Sequence, residues 1–211
     1  MCRLVGYERT SEIVKNGEWD DPAVLKTAEA FADFAKKGYF SENIASNVWP
    51  AGQNMELAGG TAAMYLNGSW LPNEVQAMAG DDFKWGCFSY PAVEGGVDGT
   101  NASNYGAQVF AINKNSKNAE AAFQLICKIT KGEFDQVLAE ESNGIPADTT
   151  NTEWPAMVQC AQPVMEQLTV RYPWAAGAED NADMTPIIKE NMLKLVGGSI
   201  SAQEFVDALK K

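Results

Sequence analysis

The stretch Gly59-Gly60-Thr61-Ala62-Ala63-Met64-Tyr65-Leu66-Asn67-Gly68-Ser69-Trp70 decides how this chain is read. Two glycines lead into small and apolar residues, and a second turn signal follows at Asn67-Gly68. Thr61 to Leu66 is the length of one short strand. Ser69 then stands where a helix cap is expected, ahead of an apolar face of Leu71, Val75 and Met78 or Ala79, with Pro72 acceptable in the first turn. Trp70, the largest side-chain type, is thereby placed at the mouth of a turn and not on a helical apolar stripe.

Working outward, Asp20-Asp21-Pro22 opens a helix with Val24, Leu25, Ala28, Phe31 and Ala35 on one face, ended after Lys36-Lys37 by Gly38. Residues 39–60 read as loop, with a short helix around Gln53 to Leu57. Phe83 to Tyr90 and Gln108 to Asn113 read as strands, separated by a glycine-rich connection. Ala119 to Thr130 carries Ala122, Phe123, Ile126 and Ile129 at helical spacing. Gly132 to Glu141 follows with Phe134, Val137 and Leu138 facing inward, and Asn143-Gly144 turns the chain into Ile145-Pro146. Thr152 is expected to cap a helix through Met157, Val158, Ala161, Met165 and Leu168, bent or broken at Pro163. Residues 169–184 read as irregular. Thr185-Pro186 begins a helix that Gly197-Gly198 ends, and Ser201-Ala202-Gln203-Glu204 matches a capping box opening a last helix with Phe205 and Leu209 inward. The chain reads as α/β or α+β, helix-rich with a few short strands.

Composition narrows the chemistry. The 211 residues are 45% hydrophobic and 10% aromatic, enough for a packed core. Sixteen Lys and Arg against 28 Asp and Glu leave a net charge of −12, and the basic residues are scattered, which argues against nucleic acid or an anionic membrane as partner. With no histidine in the chain, Ser-His-Asp and Cys-His catalysis and His-ligated zinc are excluded. The four cysteines, Cys2, Cys87, Cys127 and Cys160, form no CxxC pair, so neither a metal nor a cofactor is expected, and the last three read as small buried core residues. No apolar run approaches the ~20 residues of a membrane span, and no signal peptide is visible. The chain is then either cytoplasmic or part of a longer protein.

Catalytic patterns are sparse. Asp81-Asp82, Glu140-Glu141 and Glu179-Asp180 are adjacent pairs that suit solvated helix ends better than the separated carboxylates of a glycosidase. Glu94-Gly95-Gly96-Val97-Asp98-Gly99 lacks the spacing of a phosphate loop. More informative are Trp49, Trp70, Tyr105, Tyr172 and Trp174, all expected in turns or element ends among Asn, Ser, Gly and Pro. A flat apolar ring beside free backbone N–H groups suits a sugar, whose C–H face stacks while its hydroxyls hydrogen-bond. The same rings also suit packing against a neighbouring helix.

Gly60-Thr61-Ala62-Ala63-Met64 through Asn67-Gly68-Ser69-Trp70 resembles the "G-x-A-A-M … G-x-W" signature of extracellular solute-binding proteins, the sugar-binding subunits of ABC importers that include maltose-binding protein. In the same order, Trp19-Asp20-Asp21-Pro22 with Gly38-Tyr39-Phe40, Trp85-Gly86 with Tyr90-Pro91, Ser116 to Ala122, Gly144-Ile145-Pro146-Ala147 and Gly197 to Glu204 resemble further segments of that family. The resemblance implies a periplasmic-binding-protein-like (type II) fold that closes two α/β lobes on a sugar without catalysis. Residues 1–211 would be the C-terminal portion, with about 108–148 packing on an N-terminal lobe. It implies an extracellular or periplasmic protein, anchored as a lipoprotein at full length, that serves a membrane permease. Carried over by position, Trp70 would stack on the sugar beside Asn67 and Ser69. The loop Asn104-Tyr105-Gly106 would reach the ligand, and Trp174 would supply a second aromatic. Without the first lobe, Phe123, Ile126, Phe134 and Leu138 would lose their cover, and a homodimer would shield them. A glycoside-active enzyme domain, or an interaction domain whose aromatics only pack, are the competing readings.

Overall fold

The computed structural model describes residues 1–173, 175–176 and 181–210, so Trp174 and the acidic pair Glu179-Asp180 lie outside the described residues. The chain divides into two compact units. The first comprises residues 1–53, 89–106 and 168–211, and the second 54–88 and 107–167.

The first unit is built on helices α1 (Cys2–Asn16), α2 (Pro22–Lys36), α8 (Met184–Val196) and α9 (Ala202–Leu209). Helix α2 forms where expected and for the expected reason. The Asp21 carboxylate accepts from the Ala23 N–H at 2.8 Å, and Pro22 occupies the first turn, where its missing N–H costs nothing. Helix α9 carries the complete capping box: Ser201 Oγ accepts from Glu204 N–H, and the Glu204 carboxylate accepts from Ser201 N–H at 2.7 Å. Phe205 and Leu209 are buried as expected, together with Val206. They close on Ile13, Val14, Trp19, Val24, Ala28 and Leu195 to form the core of this unit. Helix α1 has no counterpart in the sequence reading. It contains a break at Gly6, whose φ of 81° lies in the left-handed region that glycine enters without a Cβ penalty.

The unit also holds a two-stranded parallel sheet. Strand β1 (Ala102–Asn104) pairs with β2 (Val170–Tyr172) in the register Ala102↔Val170, Ser103↔Arg171 and Asn104↔Tyr172. The second strand falls in the segment expected to be irregular. Tyr172 is therefore a buried strand residue, not a turn aromatic, and its hydroxyl donates to Asp98 Oδ2 at 2.5 Å.

The second unit holds most of α3 (Ala51–Ala58), then α4 (Leu71–Ala79), α5 (Ala119–Ile129), α6 (Gly132–Ser142), a single 3-10 turn at Gln159–Ala161 and α7 (Gln162–Glu166). Leu57, Leu71 and Val75 form its buried cluster, with Tyr65, Ala79, Phe83 and Trp85 packed on them. Of the two alternatives for the α4 face, Ala79 packs and Met78 is exposed.

Several expectations are corrected here. Residues 61–66, 83–90 and 108–113 run without strand pairing, because the only ladder among the described residues is β1–β2 and an unpartnered segment has nowhere to place its hydrogen bonds. Helix α6 is rotated from its expected orientation. Phe134, Val137 and Leu138 are exposed, while Asp135 and Ala139 are buried. Asp135 wins the inward position because its carboxylate accepts from the N–H groups of Ala147 and Asp148 and from Asn151 Nδ2, at 2.9–3.1 Å. Thr152 caps no helix. The helix starts only at Gln162, with Pro163 in its first turn, since proline cannot donate to an earlier turn. The cysteines are free thiols, and none is buried: Cys87 is exposed and Cys2, Cys127 and Cys160 are intermediate.

Candidate functional site

The sequence-predicted site residues fall into two groups, one in each unit. Asn67, Ser69 and Trp70 belong to the second unit, and Asn104, Tyr105 and Gly106 to the first.

In the second unit the chain turns at 68–71, where Leu71 N–H donates to Gly68 O at 3.1 Å. Ser69 and Trp70 are the central residues of that turn. Trp70, not Ser69, is the N-cap of α4, and no side chain caps this helix. Asn67 Oδ1 accepts from Gly68 N–H at 2.7 Å, a local bond at the start of the turn.

The indole of Trp70 lies against Gly68. A Cβ placed on Gly68 would fall among the Cζ3, Cη2 and Cε3 atoms of the ring. Gly68 is thus needed for close approach, and a flat ring is held at the helix entrance while the residue stays 41% exposed. In the same unit, burial pushes the Tyr65 phenol above its ordinary range; a hydrogen bond with Asn67 opposes the rise and the Glu74 carboxylate adds to it. Asn54, buried on α3, donates from Nδ2 to Glu74 Oε2 at 2.9 Å, while its Oδ1 has no partner among the described residues. Sequence reasoning missed Asn54, because an Asn inside a helix carries no motif.

In the first unit, Asn104 ends β1, and Tyr105 N–H continues the pairing by donating to Tyr172 O at 3.0 Å. Asn104, Tyr105 and Gly106 are exposed beyond the carboxyl end of the strand, and a Cβ on Gly106 would meet nothing. The Arg171 guanidinium lies over the Tyr105 ring, 4.7 Å from its centroid. Tyr172 has its phenol pushed above the usual range, chiefly by burial and then by its bond to the Asp98 carboxylate.

Among the described residues no group of three or more Cys, Asp or Glu side chains is placed to hold a metal ion. No helix among them is long and apolar enough to cross a membrane. A shallow depression in the first unit, lined by Ala32, Ala35, Lys36 and 195–198, presents apolar surface and one ammonium group.

Residues 8–161 match the model of a protein family described as bacterial extracellular solute-binding protein. The chain belongs to this family. The match covers well over half of the 211 residues and includes both groups of exposed site residues. Trp174 lies beyond it. A search of the curated proteins returns no match.

Membership gives this solute-binding protein a role in transport through binding, in a family described as extracellular and generally non-enzymatic. The helix-rich chain with its short parallel sheet fits an α/β fold.

Proposed function

We propose that this solute-binding protein binds a carbohydrate, a mono- or oligosaccharide, as the extracytoplasmic substrate-binding component of an ABC importer. The observation that carries the reading is Trp70: a ring seated on Gly68 at the entrance of α4, substantially exposed, beside the amide of Asn67 and the exposed hydroxyl of Ser69. A sugar stacks its C–H face on such a ring, and its hydroxyls engage the neighbouring polar groups. Asn104, Tyr105 and Gly106 are proposed in their own right as ligand contacts of the first unit, since they are exposed at the end of β1 where parallel strands commonly present ligands. Trp174 is proposed as an additional aromatic from the sequence resemblance alone.

The same reading makes the chain the C-terminal portion of a two-lobed, maltose-binding-protein-like protein of type II fold, anchored as a lipoprotein and delivering ligand to a membrane permease. Support comes from α5 and α6. Helix α5 has no buried residue, and Phe123, Phe134 and Leu138 are exposed, as surfaces awaiting cover would be. An N-terminal lobe packing on 108–148 supplies that cover, and in its absence a homodimer does. Sedimentation velocity is expected to show dimer at micromolar concentration; monomer at all concentrations refutes the dimer.

The binding test is fluorescence titration with neutral mono- and disaccharides. Quenching or a blue shift is expected in the unaltered chain and is lost in Trp70→Ala. Titration curves that Trp70→Ala leaves unchanged overturn the assignment of Trp70. Release of nitrophenol from chromogenic glycosides would show catalysis and overturn the binding-only role.

A further inference from the structure

We infer that Glu74 is the specificity-determining contact of the Trp70 site: its carboxylate accepts from the hydroxyls of a sugar stacked on the ring, so that the site takes neutral and amino sugars and turns away acidic ones. The inference rests on the sugar-binding reading and narrows its substrate class.

All the residues involved belong to the second unit. Trp70 has helical backbone angles, φ −78° and ψ −12°, and so extends the repeat of α4 by one residue. Glu74 follows four positions later, a spacing that sets two side chains one above the other on the same helix face. Side chains of a helix lean toward its N-terminus, which carries the Glu74 carboxylate toward the Trp70 turn. This face flanks the buried one, because Leu71 and Val75 take the inward positions while Glu74 is half-buried and Trp70 exposed.

The carboxylate is held before any ligand arrives. Asn54, 3% exposed on α3, donates from Nδ2 to Glu74 Oε2 at 2.9 Å. A buried amide in that place cuts the rotamer freedom that Glu74 would otherwise lose on binding. On the other side, the Tyr65 phenol feels the Glu74 charge and shares a hydrogen bond with Asn67. Asn67 bonds Gly68 N–H in turn, and Gly68 is the residue against which the Trp70 ring lies.

A ring and a carboxylate one helical turn apart match the two chemistries of a pyranose. Its C–H face covers the indole, and two adjacent hydroxyls donate to a carboxylate, which has about four acceptor positions, one of them used by Asn54 Nδ2. Hydrogen bonds to an ionised acceptor are stronger than those between neutral groups. An ammonium in place of a hydroxyl gains further from the charge. A carboxylate on the sugar brings like charge to like and loses.

The test uses the full 211-residue chain, labelled with nitrogen-15 and titrated separately with glucose, glucosamine and glucuronate, three sugars that share a pyranose ring and differ in charge. The signal followed is the Trp70 indole N–H. Glucosamine and glucose are each expected to bind at least about tenfold more tightly than glucuronate, the ratio that one charge-assisted hydrogen bond supplies. Glu74→Gln keeps an acceptor for Asn54 Nδ2 and removes only the charge, so it should weaken glucosamine and bring the three affinities together. Glu74→Asp, which keeps the charge on a shorter arm, should preserve their order. Equal affinities for glucosamine and glucuronate in the unaltered chain overturn the inference without recourse to any variant. A Trp70 signal that glucose moves, with affinity ratios that Glu74→Gln leaves unchanged, overturns the role of Glu74 and leaves the sugar reading standing. A Trp70 signal unmoved by all three sugars overturns the sugar reading and the inference with it.

Discussion

Replacing Gly68 by alanine tests whether the position of the Trp70 ring is set by the absence of a single carbon. The backbone at Gly68 lies outside the left-handed region, so alanine can adopt it and any effect comes from the added methyl group. That methyl would occupy the space of the indole six-membered ring, which must swing away. With the residue 41% exposed, roughly three-fifths of an indole-sized surface of up to ~250 Å² is covered, about 150 Å². At about 25 cal/mol per Å², losing all of that cover costs about 4 kcal/mol, and partial displacement costs about 1 kcal/mol. The expected result is a lower thermal midpoint for the second unit, by at least about 2 °C. A displaced Trp70 indole N–H resonance and loss of any sugar-induced fluorescence change should accompany it. An alanine variant with unchanged melting and an unmoved indole signal would refute the reasoning, because the ring would then not depend on Gly68.

Ser201→Ala should destabilise the first unit by about 1 kcal/mol, read as a lower urea midpoint, since the capping box loses its hydroxyl acceptor. Leu195→Ala, at a fully buried position on α8, should cost about 2–5 kcal/mol by the same measurement. Asp148 accepts from Gly132 N–H, Thr150 N–H and the Thr150 hydroxyl, which hold its carboxyl down at about 2. A depressed carboxyl contributes stability that is complete above its ordinary value near 4 and is lost as pH falls through about 2. Comparing acid unfolding between pH 5 and pH 2 should therefore show a steeper loss for the unaltered chain than for Asp148→Asn. Tyr172→Phe removes the hydroxyl that bonds Asp98, and calorimetry should find about 1.5–3 kcal/mol less stability.

The helices whose ends are written in local chemistry were legible. Asp21-Pro22 and the Ser201–Glu204 box announce α2 and α9 because cap and first turn are encoded within four residues. Helix α1 was not legible, since it carries weak apolar periodicity and a glycine as its fifth residue; its burial of Ile13 and Val14 is decided by α2, α8 and α9. Strands were the least legible. The apolar runs at 83–90 and 108–113 look like strands but lack partners among the described residues, while Val170–Tyr172, which has one, looked irregular. Pairing is a property of two distant segments, and no single stretch encodes it. At the site, the Gly-Ser-Trp turn was visible, one residue out of phase. The turn's third residue is the tryptophan itself, because Asn67 binds its own neighbour and leaves Ser69 without a capping role. Asp135 was hidden because an apolar count for α6 cannot anticipate a buried carboxylate satisfied by three donors from 147–151.

The two units share the chain in alternating segments, with boundaries near residues 53, 88, 106 and 167. The parallel pair β1–β2 straddles one of these excursions, joining residues such as Asn101 and Thr169 that are 68 positions apart. A closure of that span must be made before its hydrogen bonds repay it, so the sheet that carries Tyr105 and Arg171 is a late event in folding. No single cut separates one unit from the other. Each break in the chain, whether by proteolysis or by truncation, removes part of at least one, and a gene split anywhere inside 105–169 leaves the sheet to form between two molecules.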